Sequence, residues 1–179
     1  MLTSKSFYNY ANSVINNNKN VKILKSKVIN YDDIKSHCIV KTTDGSFKCR
    51  KVFNSVMDWD STKNNIKFPL LLQQFEGWVI KTEKENFDPK KATFMDFSIN
   101  QNSSTQFMYI LPFSKTEALV EYTLFSEQLL ETDKYKSALK DYLSSSGILN
   151  YQIKCRESGK IPMTCYPFFE LNTKNILNI

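Results

Sequence analysis

Residues 117–125, EALVEYTLF, read as a strand with one charge at its centre. The alternation is regular. Ala118, Val120 and Tyr122 fall on one face, and Leu119, Glu121 and Thr123 on the other. A carboxylate at mid-strand among apolar neighbours is costly to bury unless it is paired or protonated. Glu121 therefore has two readings. It is either a glutamate on an edge strand paired with a lysine such as Lys115, or an acid held in a dry place for a purpose.

Working outward, three more runs share this texture: LLLQQFEGWVIKT (70–82), ATFMDFSI (92–99) and TQFMYILPF (105–113). Loops rich in Asn, Asp, Ser, Lys and Pro separate them. Residues 134–146 are expected to form a helix with Tyr135, Leu139, Tyr142 and Leu143 as its apolar stripe. Asp133 is its expected cap, and Gly147 stands where a C-terminal glycine belongs. YQIKCRES (151–158) and GKIPMTCYP (159–167) suggest two further strands around Ser158-Gly159. Residues 69–173 thus read as a mostly antiparallel sheet with one helix, an α+β domain.

The flanks differ. Residues 4–18 place Phe7, Tyr10, Ala11, Val14 and Ile15 at helical spacing behind a cap at Thr3 or Ser4. VKILKSKVINY (21–31) follows as a strand, then a hairpin whose turn is signalled by Asp44-Gly45. Residues 58–68 are polar and read as a linker, and NILNI (175–179) as an apolar strand. Residues 1–57 and 174–179 look like pieces of one αβ unit, as expected of a fragment of a two-domain protein. In such a fragment Phe7, Tyr10 and Val14 are expected to stay partly exposed.

Composition narrows the function. The chain has 179 residues, 41% of them hydrophobic and 13% aromatic, and a net charge of +6. The lysines are scattered, without a basic block interleaved with aromatics, which argues against a nucleic-acid partner. A basic surface toward anionic lipid stays open. Cys38, Cys49, Cys155 and Cys165 include no CxxC pair, and His37 is the single histidine, so no structural zinc is expected. Reduced thiols of a cytosolic protein are the simpler reading. Residues 1–20 are polar and Asn-rich, without a signal-peptide pattern, and no apolar stretch approaches the ~20 residues of a spanning helix. Gly45, Gly77, Gly147 and Gly159 belong to neither GxGxxG nor a P-loop.

Five motifs in series carry a resemblance. QQFEGWVI, FDPKKATFMDF, QFMYILPFS, ALVEYTLFS and GKIPMT occur in an order that resembles the bacterial and plant lycopene cyclases, flavoproteins that close the ends of linear lycopene into rings. The match covers most of residues 69–165 and extends more weakly through KVFNS and ILNI. It implies a Rossmann-type FAD domain interrupted by an antiparallel substrate domain. Residues 1–57 would then be part of the FAD domain, 69–173 the substrate domain and 174–179 the start of the returning FAD-domain strand. Glycine-rich FAD segments would be expected before Met1 and after Ile179. This stretch alone would then neither hold FAD nor cyclise lycopene.

The resemblance also assigns chemistry. Ring closure needs a proton on a carbon–carbon double bond, then attack on the cation by a neighbouring double bond, then loss of a proton. It forms β-ionone rings, in γ- and β-carotene, without net redox change. Glu121 matches the family's required glutamate, and a carboxyl in an apolar pocket can stay protonated and act as an acid. Many members carry a second acid where Tyr122 stands here. Asp96 matches a family aspartate and could tune Glu121 or accept a proton; a buried aspartate bonding backbone N–H groups is the other reading. Asp88 reads as a turn residue before Pro89. Phe75, Trp78, Phe94, Phe107, Tyr109 and Phe113 are candidates for stabilising a cation, or core residues. Ile161, Pro162 and Met163 resemble a segment near the flavin. The implied partners are reduced FAD with NADPH as electron source, lycopene and a membrane surface. The implied location is cytoplasmic, peripheral to the inner face of a bacterial cell membrane. Rival readings are a prenyl reductase or aromatic hydroxylase, which perform redox chemistry without needing Glu121, or a non-catalytic carotenoid- or lipid-binding module.

Overall fold

The computed structural model of the chain describes residues 3–56 and 66–179. Most of the linker expected over 58–68 lies outside the described residues. The chain divides into two units: Met1–Val56 with Pro167–Ile179, and Met57–Tyr166.

In the first unit, α1 (Ser4–Asn16) is capped by the Thr3 side chain, which accepts a hydrogen bond from the Ser6 N–H. No residue of α1 is buried, and Phe7, Tyr10 and Val14 are 51%, 70% and 52% exposed, matching the expected bare stripe. Strands β1 (Val28–Asp33), β2 (Cys38–Thr42) and β3 (Gly45–Cys49) form an antiparallel meander. β1 starts later than the sequence suggests because its partner β2 is only five residues long and pairing ends at Val28–Thr42. Thr42 pairs with Gly45, so the tight turn is Thr43-Asp44, one residue before the expected pair. Gly45 closes it with φ +143°, a conformation L side chains rarely adopt.

β4 (Val52–Asn54) pairs in parallel with the C-terminal β10 (Ile176–Asn178). Asp33 clasps the approach to β10. Its carboxylate accepts hydrogen bonds from the Thr173 hydroxyl and from the backbone and side-chain N–H groups of Asn175. These bonds hold the Asp33 carboxyl far below the usual aspartate range.

The second unit is built on a five-stranded antiparallel sheet in the order β6-β7-β8-β5-β9. The strands are β5 (Leu70–Thr82), β6 (Thr93–Asp96), β7 (Thr105–Pro112), β8 (Glu117–Ser126) and β9 (Tyr151–Thr164). EALVEYTLF is the middle strand, hydrogen-bonded to β7 and β5. Its Ala118/Val120/Tyr122 face is covered by α2 (Thr132–Ser145), whose Tyr135, Leu139 and Leu143 pack against Trp78, Ile80, Met108, Val120, Tyr122 and Leu124. Burying one such Leu contributes about 1.5–3 kcal/mol, so this layer anchors the unit.

α2 ends in a Schellman turn. Gly147 adopts φ +76°, the Ile148 N–H donates to the Leu143 carbonyl, and the Gly147 N–H to that of Ser144. At the other end Glu131 holds the cap position without a side-chain bond. Asp133 is not the cap; it lies in the first turn, paired with Lys136 at 2.9 Å.

The two strands expected around Ser158-Gly159 are one. β9 runs fourteen residues without a turn and pairs with β5 from Leu70–Thr164 to Thr82–Tyr151. Gly159 serves side-chain room, not a bend. It lies opposite Phe75, and a Cβ there would stand 2.5 Å from two carbons of the Phe75 ring.

Candidate functional site

The face of the sheet turned away from α2 carries Glu121. In register, Tyr109 of β7 lies beside Glu121 of β8, Glu121 beside Gly77 of β5, and Gly77 beside Glu157 of β9. Directly opposed residues share a face, so all four do. Glu121 is half-buried on an interior strand. The Thr123 hydroxyl donates to its Oε1 at 2.9 Å.

The edge-strand reading of Glu121 fails here. β8 is not an edge, and Lys115 pairs with Glu85 at 3.0 Å instead. Among the described residues no ion pair includes Glu121. Burial pushes its carboxyl above the usual glutamate value; the Thr123 hydroxyl pulls it back, and the charge of Glu157 adds to the rise. The phenol of Tyr109 is raised too, by burial and then by Glu121.

Aromatic rings line the same face. Tyr109 contacts Phe94 and Phe107 at 5.2 Å between centroids in each case, and Phe107 contacts Phe97 at 5.3 Å. Phe75 shares the face, its ring over Gly159. Trp78 does not: it is 1% exposed on the helix side, beneath the Arg156 guanidinium at 5.6 Å. Phe113 sits exposed in the turn after β7. Of the six aromatics considered from sequence, four therefore stand on the face of the acid.

Asp96 is not brought to Glu121. It pairs with Met108, whose side chain is in the core beneath α2, and its Oδ2 accepts from the Tyr142 hydroxyl at 2.7 Å. Its Oδ1 accepts from the Ser98 N–H at 2.9 Å. The Tyr142 bond, then those from Ser98, hold its carboxyl below the usual aspartate value. Asp96 is thus a clasp between β6 and α2 on the face opposite Glu121, and its bond from the Ser98 N–H matches the backbone-bonding reading of the two the sequence leaves open. The cause is local. Met95 takes φ +53°, which breaks the strand alternation, so Phe94 and Phe97 reach the acid's face while Asp96 turns to the helix.

A cavity of ≈ 1190 Å³ opens on that helix side, lined by Asp96, Gln106, Tyr122, Lys134, Asp141 and Tyr142 among others. Its central polar groups are satisfied by one another: Tyr142 with Asp96, and the Tyr122 hydroxyl with Gln106. Tyr122, where the family's second acid would stand, is buried here and faces away from Glu121.

Ile161, Pro162 and Met163 lie on edge strand β9 opposite Gln73, Leu72 and Leu71. Ile161 and Met163 are exposed, and proline has no N–H. Their side chains carry no charge for a pyrophosphate, while the exposed Ile161 and Met163 present apolar surface of the kind on which a planar ring can pack. Among the described residues no group of His, Cys, Asp and Glu could hold a metal ion, and no helix is long and apolar enough to cross a membrane.

Sequence reading missed Glu157, Thr123 and the service of Gly77. The available signal was Gly77 itself: glycine inside an apolar strand marks a place where something approaches closely.

The fold and this face define a helix-backed antiparallel sheet carrying a half-buried acid beside aromatic rings packed edge-on and tilted. The chain belongs to the lycopene cyclase family: the family described as Lycopene cyclase protein matches residues 1–179. A lycopene beta-cyclase from Paracoccus sp. (strain N81106 / MBIC 01143) is 29% identical over 110 residues, covering 61% of this chain and 28% of that protein. Among solved structures, a geranylgeranyl bacteriochlorophyll reductase-like protein from Thermoplasma acidophilum is similar with a TM-score of 0.55 and 11% identity, over 87% of this chain and 41% of that one. A tetracycline destructase gives a TM-score of 0.47 at 11% identity, over 86% of this chain and 44% of that one. The likeness to the reductase-like protein is one of fold. Each match spans less than half of the other protein.

Proposed function

We propose that this chain carries the acid of a lycopene β-cyclase, the residue that starts ring closure by protonating an end double bond of lycopene. The observation that carries the reading is the position of Glu121: interior strand, half-buried, without an ion-pair partner among the described residues, beside the Phe107–Tyr109–Phe94 rings. A carboxyl kept from ionising is a usable proton donor near neutral pH. Proton transfer to carbon leaves a tertiary cation, and electron-rich aromatic rings on the face of Glu121 suit a positive charge. The neighbouring double bond attacks, a ring proton leaves, and the product is an isomer of the substrate. One closure gives γ-carotene and two give β-carotene.

Reduced FAD with NADPH, and a cytoplasmic location peripheral to a bacterial membrane, belong to this proposal through the family resemblance. The net charge of +6 is compatible with an anionic lipid surface.

The test is ring closure in D₂O by the complete gene product containing this chain, with pigments separated and weighed by mass spectrometry. One solvent deuterium should enter each ring at carbon, with no other mass change. A product that has gained two hydrogens across a double bond would identify a prenyl reductase, and an oxygenated one a hydroxylase. Tight carotenoid binding without conversion would identify a binding module.

A further inference from the structure

The acid's face holds a second carboxylate that the reading above leaves unused. Glu157 lies two strands from Glu121, with Gly77 between them. Strand spacing alone puts the two Cα atoms roughly 10 Å apart. A side chain on the intervening strand would normally separate such a pair. Here that strand presents glycine. A Cβ placed on Gly77 would stand 3.1 Å from Glu157 Cγ and 3.3 Å from its Oε1. The Glu157 side chain therefore lies over β5, in the notch the glycine leaves. The Leu119 side chain enters the notch from the other side, 2.9 Å from the same point.

We propose that Glu157 is a positioning residue for the proton on Glu121: its carboxylate, lying over Gly77, sets a second negative charge on the acid's face and favours the neutral form of Glu121. This rests on the reading of Glu121 as the acid. Glu157 is exposed, so water supports its charge, while Glu121 is half-buried and poorly supported.

The other groups around Glu121 do not cancel this. β7 contributes Tyr109, and β8 contributes Thr123 and, further along, Glu117. β9 adds Cys155 beside Glu157, and Lys81 of β5 lies at the far end, opposite Glu117. The cation nearest in register, Arg156, is turned to the other face over Trp78. Burial is the larger cause of the rise at Glu121 and Glu157 the smaller, so the effect of removing Glu157 is a shift and not a collapse.

The experiment titrates the Glu121 carboxyl by carbon-13 NMR in the 179-residue chain, assigned by its loss in Glu121→Gln. In Glu157→Gln the midpoint should move to lower pH. Glu157→Asp, which restores the charge on a shorter arm, should return it part of the way. In the unaltered chain, added NaCl should lower the midpoint by screening the pair, and the Glu157→Gln chain should respond less. The salt series needs no substitution, so it decides the matter even if a variant folds poorly. An unchanged midpoint in a folded Glu157→Gln chain would overturn the proposal, as would an absent salt response. Lycopene plays no part in the measurement, so its failure is distinct from failure of Glu121 as the acid in cyclisation.

Discussion

Tyr142→Phe should weaken the second unit by about 1.5 kcal/mol at pH 7, and the loss should disappear in acid. The substitution keeps the ring and removes the hydroxyl that donates to Asp96 Oδ2 at 2.7 Å. Hydrogen bonds to charged groups contribute about 1.5–3 kcal/mol. The low end applies because Asp96 is half-buried and lines an open cavity, where water can take the vacated place. At roughly 4 °C per kcal/mol for a domain of this size, the midpoint of thermal unfolding should fall by about 6 °C. Asp96 is held below the usual aspartate value, so its contribution is complete above the unfolded value and is lost as pH falls through the folded one. Unfolding followed by circular dichroism should therefore show the full gap between the two chains at pH 6–7 and a gap that closes as pH falls below the ordinary aspartate range. The Glu121 titration should not move, because Asp96 is on the other face. Equal stability at pH 7, or a gap of constant size at every pH, would refute the assignment of Asp96 as an ionised clasp.

Gly159→Ala should cost about 1–3 kcal/mol in urea unfolding, since the methyl meets the Phe75 ring at 2.5 Å and one of them must move. Leu139→Ala, at a fully buried position between α2 and the sheet, should cost about 2–5 kcal/mol by the same assay. Asp33→Asn should speed amide hydrogen exchange at Asn175 and Ile176, because it removes the charge that Thr173 and Asn175 bond. In the unaltered chain that protection should persist as pH is lowered through the ordinary aspartate range, since the folded Asp33 carboxyl is held far below it.

The strands β5, β7 and β8 and the helix α2 were legible because each needs only a local pattern: a period of two, or a stripe ended by glycine. What escaped was whatever depends on a partner strand. The start of β1 is set by the length of β2, and the single run of β9 by its long pairing with β5. Gly159 resembles a turn signal until Phe75 is found opposite it. The acid followed the same rule. Glu121 stood out because its own strand shows the anomaly. Glu157 sits in a polar stretch, and only the register of three strands reveals that it leans over Gly77. Family likeness leaves Asp96 either a role beside Glu121 or one of bonding backbone N–H groups, and only the backbone at Met95, with φ +53°, shows which face it takes.

The central claim is that Glu121 delivers the proton, and one substitution addresses it. Glu121→Gln keeps the shape and hydrogen-bonding capacity of the side chain and removes the transferable proton. In lycopene-accumulating cells that express the complete gene product, this change should lower ring formation by about 10²–10⁴-fold, the usual worth of a general acid. Protein level and fold should be unchanged, with lycopene persisting on the chromatogram. Normal amounts of β-carotene from the Glu121→Gln protein would contradict the account.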